Sequence, residues 1–165
     1  PGRAEGGGVT ALRIVGNDLG VHLGCVCIDV AEDHTVTLVA RTTIQVGELR
    51  ALGIRVSLFI DPDPGQVEAS ARVKAEMIEL HTGAYANATG AGREAELQRL
   101  IAAGAQAGAL GLQVNAGHGI TTGNLPPLLA IPHLHELNIG HHIISRAIQL
   151  GLRGAVSEML AAMRG

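Results

Sequence analysis

The sequence predicts an α/β fold in which a parallel sheet is covered by helices. Three observations lead there. Short β-branched apolar runs, each too short for a helix, recur along the chain and are bounded by Gly, Pro, Asp or His, as expected of strands buried on both faces. Helical segments lie between them. Polar residues collect just beyond the strand ends. A doubly wound sheet and a (β/α)8 barrel both satisfy this pattern, and the order of strands cannot be read from it.

In chain order, strand-like stretches appear first at Leu12–Val15 and Cys25–Val30, separated by Gly-rich joints. The clearer strands are Val36–Val39, Val56–Ile60, Met77–Leu80, Leu112–Val114 and Leu137–Ile139. Helices are expected over Pro64–Ala75, Gly92–Ala107, Leu125–Leu129, His142–Gln149 and Ala155–Met163. The 23 glycines, about twice the usual share, punctuate this alternation. Asp61, His81-Thr82-Gly83, His118-Gly119 and Gly140-His141 follow successive strands. In either fold that edge carries the active site, because the loops converge there and helix N-termini point free N–H groups at it.

With 165 residues, 47% of them hydrophobic, the chain is long enough for one domain with a core of its own. Twelve Lys and Arg against fifteen Asp and Glu leave no basic excess for a phosphate backbone. Phe59 and Tyr85 are the only aromatic residues, so stacking platforms for bases are lacking. Nucleic-acid binding is therefore not expected. No apolar stretch reaches the roughly 20 residues that a bilayer crossing needs, and the chain reads as cytosolic or soluble in some other compartment. Cys25 and Cys27 imply no disulfide framework. The opening Pro1–Gly8 has neither a Met nor an apolar leader region, and the chain reads as a fragment or the product of an irregular gene.

Five of the eight histidines, His118, His133, His135, His141 and His142, lie near the C-terminus. His133-x-His135 and His141-His142 resemble pieces of zinc sites. Neither pair has helical i, i+4 spacing with a Glu between, and no thiolate accompanies them, so no metal is expected. His133 and His135 beside Pro132 read as a surface joint. His118 differs: it stands between glycines directly after an apolar strand, where a group titrating near neutral pH suits general acid/base work. Glu79 lies inside an apolar strand, where a carboxylate is costly unless paired or facing a polar cavity, and both a catalytic role and a structural ion pair are open to it. Gly119 and Gly140 each follow a strand and precede a helix, a loop type that offers backbone N–H groups to a phosphate.

Val56–Asp61, Ile78–Gly83, Val114–Gly119 and His135–His141, taken in order and spacing, resemble the pyridoxine 5'-phosphate synthase family of vitamin B6 biosynthesis. Ile144–Ala147 and Gly151–Met159 continue the resemblance, which covers about residues 50 to 165. It implies a (β/α)8 barrel that condenses 1-deoxy-D-xylulose 5-phosphate with 3-amino-2-oxopropyl phosphate to pyridoxine 5'-phosphate, phosphate and water. It implies no metal or organic cofactor, and a homo-oligomer in the cytoplasm. By motif, His118 matches the family's proton donor and Glu79 its transition-state-stabilising carboxylate. Gly119, Gly140 and His141 match positions that bind the aminoketone phosphate.

Further toward the N-terminus, Asp33–Val39 resembles the family's fourth strand. Arg41-Thr-Thr43 resembles its substrate-binding Thr loop, which places Thr42 among the substrate-binding positions. The motifs of the family's first three strands do not stand intact in residues 1 to 50. A closed barrel commonly takes about 250 residues, so the expectation is a single, incomplete barrel domain of about five to seven βα units. The alternative function is a catalytically inactive partial barrel that retains phosphate binding or self-association. A metal-dependent hydrolase built on the histidines is a third reading.

Overall fold

The computed structural model describes residues 46–164 and the backbone of 11–14. Five strands form one sheet: β1 (Ala11–Ile14), β2 (Arg55–Ile60), β3 (Met77–His81), β4 (Gln113–Gly117) and β5 (Leu134–Asn138). Their spatial order is their chain order, β1-β2-β3-β4-β5, and every neighbouring pair is parallel. A doubly wound sheet would reverse direction at a switch point. Strands that only ever step the same way, with helices between them, are the arrangement of a (β/α)8 barrel, here present in part.

The helices are α1 (residues 46–51), α2 (Pro64–Arg72), α3 (Gly83–Asn87), α4 (Gly90–Ala109), α5 (Leu125–Leu128) and α6 (His141–Ala162). Local chemistry sets their ends. Asp63 caps α2 by accepting from the Gln66 N–H at 3.0 Å, and Pro64 occupies the first turn, where its missing N–H costs nothing. Along α4, Leu97, Leu100, Ala103, Gly104 and Ala107 form an i, i+3, i+4 stripe that is buried.

Strand alternation divides the sheet into two unlike faces. Val56, Leu58, Ile60, Ile78, Leu80, Val114 and Ala116 belong to one apolar core with Val67, Leu97, Leu100, Leu128 and Met159 from the helices. The opposite face is polar. One row of register partners there runs Phe59, Glu79, Asn115 and Glu136, and the next runs His81, Gly117 and Asn138. In a barrel this is the face of the lumen.

The described strands and helices follow the expected alternation, with shifts of one to three residues at several ends and four further adjustments. β4 extends to Gly117 rather than stopping at Val114. Asn115 and Gly117 have loop-like composition, but both lie on the polar face, where an amide and a missing side chain suit a strand. β5 begins at Leu134, three residues early, because His133 turns the chain at φ 59° and a register shift between Val114 and Asn115 accommodates the pairing. α3 was not expected. The final helix was read as two, and the structure explains why: Gly151, at φ 69° and ψ 160°, breaks α6 between the expected pieces. The expected strands Cys25–Val30 and Val36–Val39 lie outside the described residues.

Candidate active site

Because all strands are parallel, Asp61, Thr82, His118 and Gly140 leave the sheet at the same edge. His118 follows the last residue of β4 with φ 84°, a left-handed conformation uncommon for a residue with a side chain. Thr82, which has no solvent exposure, holds that turn. Its N–H donates to the Gly117 carbonyl at 2.9 Å, and its hydroxyl donates to the same carbonyl at 2.7 Å and to that of His118. The His118 ring stands exposed at the rim, edge-on to that of His81 with centroids 4.9 Å apart.

His81, the last residue of β3, is flanked on its other side by Phe59 at 5.2 Å. Its Nδ1 lies 3.2 Å from Asp61 Oδ1. A Cβ on Gly83 would stand 2.6 Å from His81 Nε2, so only a glycine leaves the ring where it is.

Glu79 lies deeper on the same face and is buried at 5% exposure. Its Oε2 accepts from the Asn138 side-chain amide at 2.7 Å. Its Oε1 lies over Gly117, where a Cβ would come within 2.2 Å of it and 3.0 Å of the Asn138 carbonyl. The carboxylate therefore occupies the space that a missing side chain on β4 leaves open.

The two expected phosphate loops differ from each other. Gly119 has φ 72°, and a Cβ there would come within 2.7 Å of the Ala86 Cβ, so this glycine meets both a backbone and a packing requirement. Its carbonyl accepts from Asn124 Nδ2 at 3.1 Å. Gly140 caps α6 at φ −109°, open to any residue, with free space where a Cβ would be. His141, exposed, begins α6. His142 ties the two loops together, its Nε2 accepting from the Thr122 N–H at 3.4 Å. Below them, Tyr85 donates its hydroxyl to the Asn124 carbonyl at 2.7 Å, and burial pushes its pKa above the ordinary tyrosine range. His133, exposed at φ 59° where the chain turns into β5, fits the expected surface joint, whereas His135, also exposed, lies within β5 itself. Among the described residues no group of three or more His, Cys, Asp or Glu is placed to hold a metal ion.

Residues 31–165 match the family model described as pyridoxal phosphate biosynthesis protein PdxJ. The chain belongs to the PdxJ family. It is 56% identical over 126 residues to a pyridoxine 5'-phosphate synthase of Synechococcus, covering 76% of this chain and 53% of that protein. It is 60% identical over 112 residues to one of Akkermansia muciniphila, covering 67% and 46%. The chain thus spans about half the length of the curated relatives it matches. A crystal structure of the Amycolatopsis orientalis BexX/CysO complex superposes with a TM-score of 0.50 at 21% identity, over 76% of this chain and 48% of that one, a likeness of fold alone.

The PdxJ match begins about twenty residues before the stretch recognised by motif and takes in Asp33–Val39 and Thr42. Thr42 itself lies outside the described residues. Of the other expected site residues, the structure places Glu79 on the lumen face and His118, Gly119, Gly140 and His141 at its rim. Asp61 and His81 were expected at the active-site edge but carried no assigned role, and Asn138 was not singled out from the sequence. A signal existed for His81 and Asn138, since His81 is two residues beyond Glu79 and Asn138 two beyond Glu136, spacings that keep strand residues on one face.

Proposed function

We propose that this chain carries the C-terminal part of a pyridoxine 5'-phosphate synthase site, condensing 1-deoxy-D-xylulose 5-phosphate with 3-amino-2-oxopropyl phosphate to pyridoxine 5'-phosphate, phosphate and water. The observation that carries the reading is the placement of Glu79 and His118 on the polar face and rim of one sheet edge, in a chain of the PdxJ family. Imine formation, dehydration and ring closure all require protons to move between oxygen, nitrogen and carbon. His118, exposed at the rim, donates them. Glu79, buried and hydrogen-bonded, stabilises positive charge that develops during the condensation. Gly119, Gly140 and His141 hold the aminoketone phosphate from two loops that His142 joins. Thr42 binds substrate from the N-terminal side. The reading requires no metal or organic cofactor, and places a single partial-barrel domain in the cytoplasm as a homo-oligomer. Among the described residues no helix is long and apolar enough to cross a membrane.

The test is an assay of the purified chain with both phosphorylated substrates, following pyridoxine 5'-phosphate by mass, beside His118→Ala. The expected result is product from the chain and none from the variant. Turnover by His118→Ala within twofold of the chain would overturn the assignment of His118. A folded chain that makes no product but is thermally stabilised by millimolar phosphate would replace the reading with phosphate binding without turnover.

A further inference from the structure

Among the described residues the His118 ring makes no hydrogen bond, and its backbone, at φ 84°, projects it into solvent. An exposed imidazole has several rotamers of similar energy, and a proton donor is effective in only a narrow range of them. What limits the ring is a contact 37 residues away in sequence: the His81 ring, edge-on at 4.9 Å. His81 is itself flanked by Phe59 at 5.2 Å and by Asp61 Oδ1 at 3.2 Å from its Nδ1, and its Nε2 occupies space that a side chain at Gly83 would need, 2.6 Å from where a Cβ would stand.

We propose that Asp61 and His81 are a positioning pair that holds the His118 imidazole in its working orientation. The inference rests on the functional reading above, for which His118 is the proton donor. Asp61 accepts from Nδ1–H and so selects both the tautomer and the tilt of the His81 ring. That ring in turn forms the wall against which His118 stands. Neither residue touches substrate in this scheme. Their loss therefore lowers the rate of the proton-transfer step and leaves substrate binding as it was.

The experiment compares the full chain with His81→Ala, His81→Phe and Asp61→Asn by steady-state kinetics and by proton NMR of the histidine rings. His81→Ala is expected to lower kcat by about 10- to 100-fold, the cost of a misoriented catalytic group, with KM for both substrates within about twofold. His81→Phe restores the ring wall and is expected to recover most of that loss. Asp61→Asn falls between the two. In the unmodified chain a nuclear Overhauser contact joins the two imidazoles, and the His118 ring signals shift in His81→Ala.

Unchanged kcat in His81→Ala, a loss carried by KM, or no contact between the rings would overturn the proposal while leaving the functional reading intact. A folded chain with the ring contact but no turnover would overturn the functional reading and leave the positioning geometry standing. If His81→Ala does not fold, His81→Phe and Asp61→Asn carry the same comparison.

Discussion

Glu79 and Asn138 come from strands that are not neighbours, and the Asn138 amide reaches across β4 to donate to Glu79 Oε2 at 2.7 Å. The crossing is open because the intervening residue is Gly117, over which Oε1 lies. A buried carboxylate is tolerated only where donors replace the water it has lost, and Asn138 is one such donor. The same contact holds the carboxylate on the polar face, beside Gly117. Stability and, in the proposed function, catalysis thus draw on one hydrogen bond.

Two substitutions separate those roles. Glu79→Gln keeps an oxygen that can accept from Asn138, so the fold is expected to change by less than about 1 kcal/mol. Turnover is expected to fall by about 100-fold or more, because a neutral amide cannot stabilise developing positive charge. Asn138→Leu leaves the carboxylate short of a donor and is expected to cost about 1.5–3 kcal/mol. Urea unfolding and the product assay, run on both variants, check the pair. An active Glu79→Gln would remove Glu79 from the chemistry.

Much of this arrangement was legible before any coordinates. The alternation Val56, Leu58, Ile60 on one face with Ser57 and Phe59 on the other is a property of sequence alone, and so is a lone carboxylate in an apolar strand. His118 between two glycines announced itself in the same way. What could not be read were relations between side chains distant in sequence. Nothing in Ile78–Gly83 says that His81 will meet the ring of His118, since that contact depends on β3 and β4 pairing in the register His81 to Gly117. Gly117 looked like a loop residue because its reason for being glycine, the Glu79 carboxylate, comes from another strand. The helix α3 escaped because its five residues are too few to show a helical period.

The break in α6 is bridged by charge. Arg146 lies before Gly151 and Glu158 after it, and the guanidinium grips both carboxylate oxygens at 2.8 and 2.9 Å. The hydrogen bond from Arg146 holds the Glu158 carboxyl below its ordinary range, and holds the Arg146 pKa above its own. Since the folded state favours the ionised Glu158, the stability this pair contributes is present above the ordinary glutamate value of about 4.3. It is lost as pH falls through the lower folded value. The raised Arg146 pKa has no effect below strongly alkaline pH. The pair is half-exposed and screened by solvent, so the effect is modest. Thermal melts of the chain and of Glu158→Gln are expected to differ modestly at pH 7, and to converge as pH falls below the ordinary glutamate value and through the lower folded one. A difference independent of pH would mean that the ion pair is not its source.

Gly151 and Gly47 make a matched pair, because a Cβ at either would meet nothing within 4 Å. Only the backbone distinguishes them. Gly151 has φ 69° and ψ 160°, a region that residues with a Cβ enter at a cost of about 1–3 kcal/mol. Gly47 lies in α1 and has no positive φ. Gly151→Ala is expected to lower stability by that amount, or else to straighten α6 and pull Arg146 away from Glu158. The second course would show as loss of the pH-dependent difference described above. Gly47→Ala is expected to raise stability by about 0.5–1 kcal/mol, since alanine loses less conformational freedom in a helix. Chemical unfolding of both variants decides the matter. Equal effects of the two substitutions would mean that the backbone at Gly151 is not held as described, and that the break in α6 has some other cause.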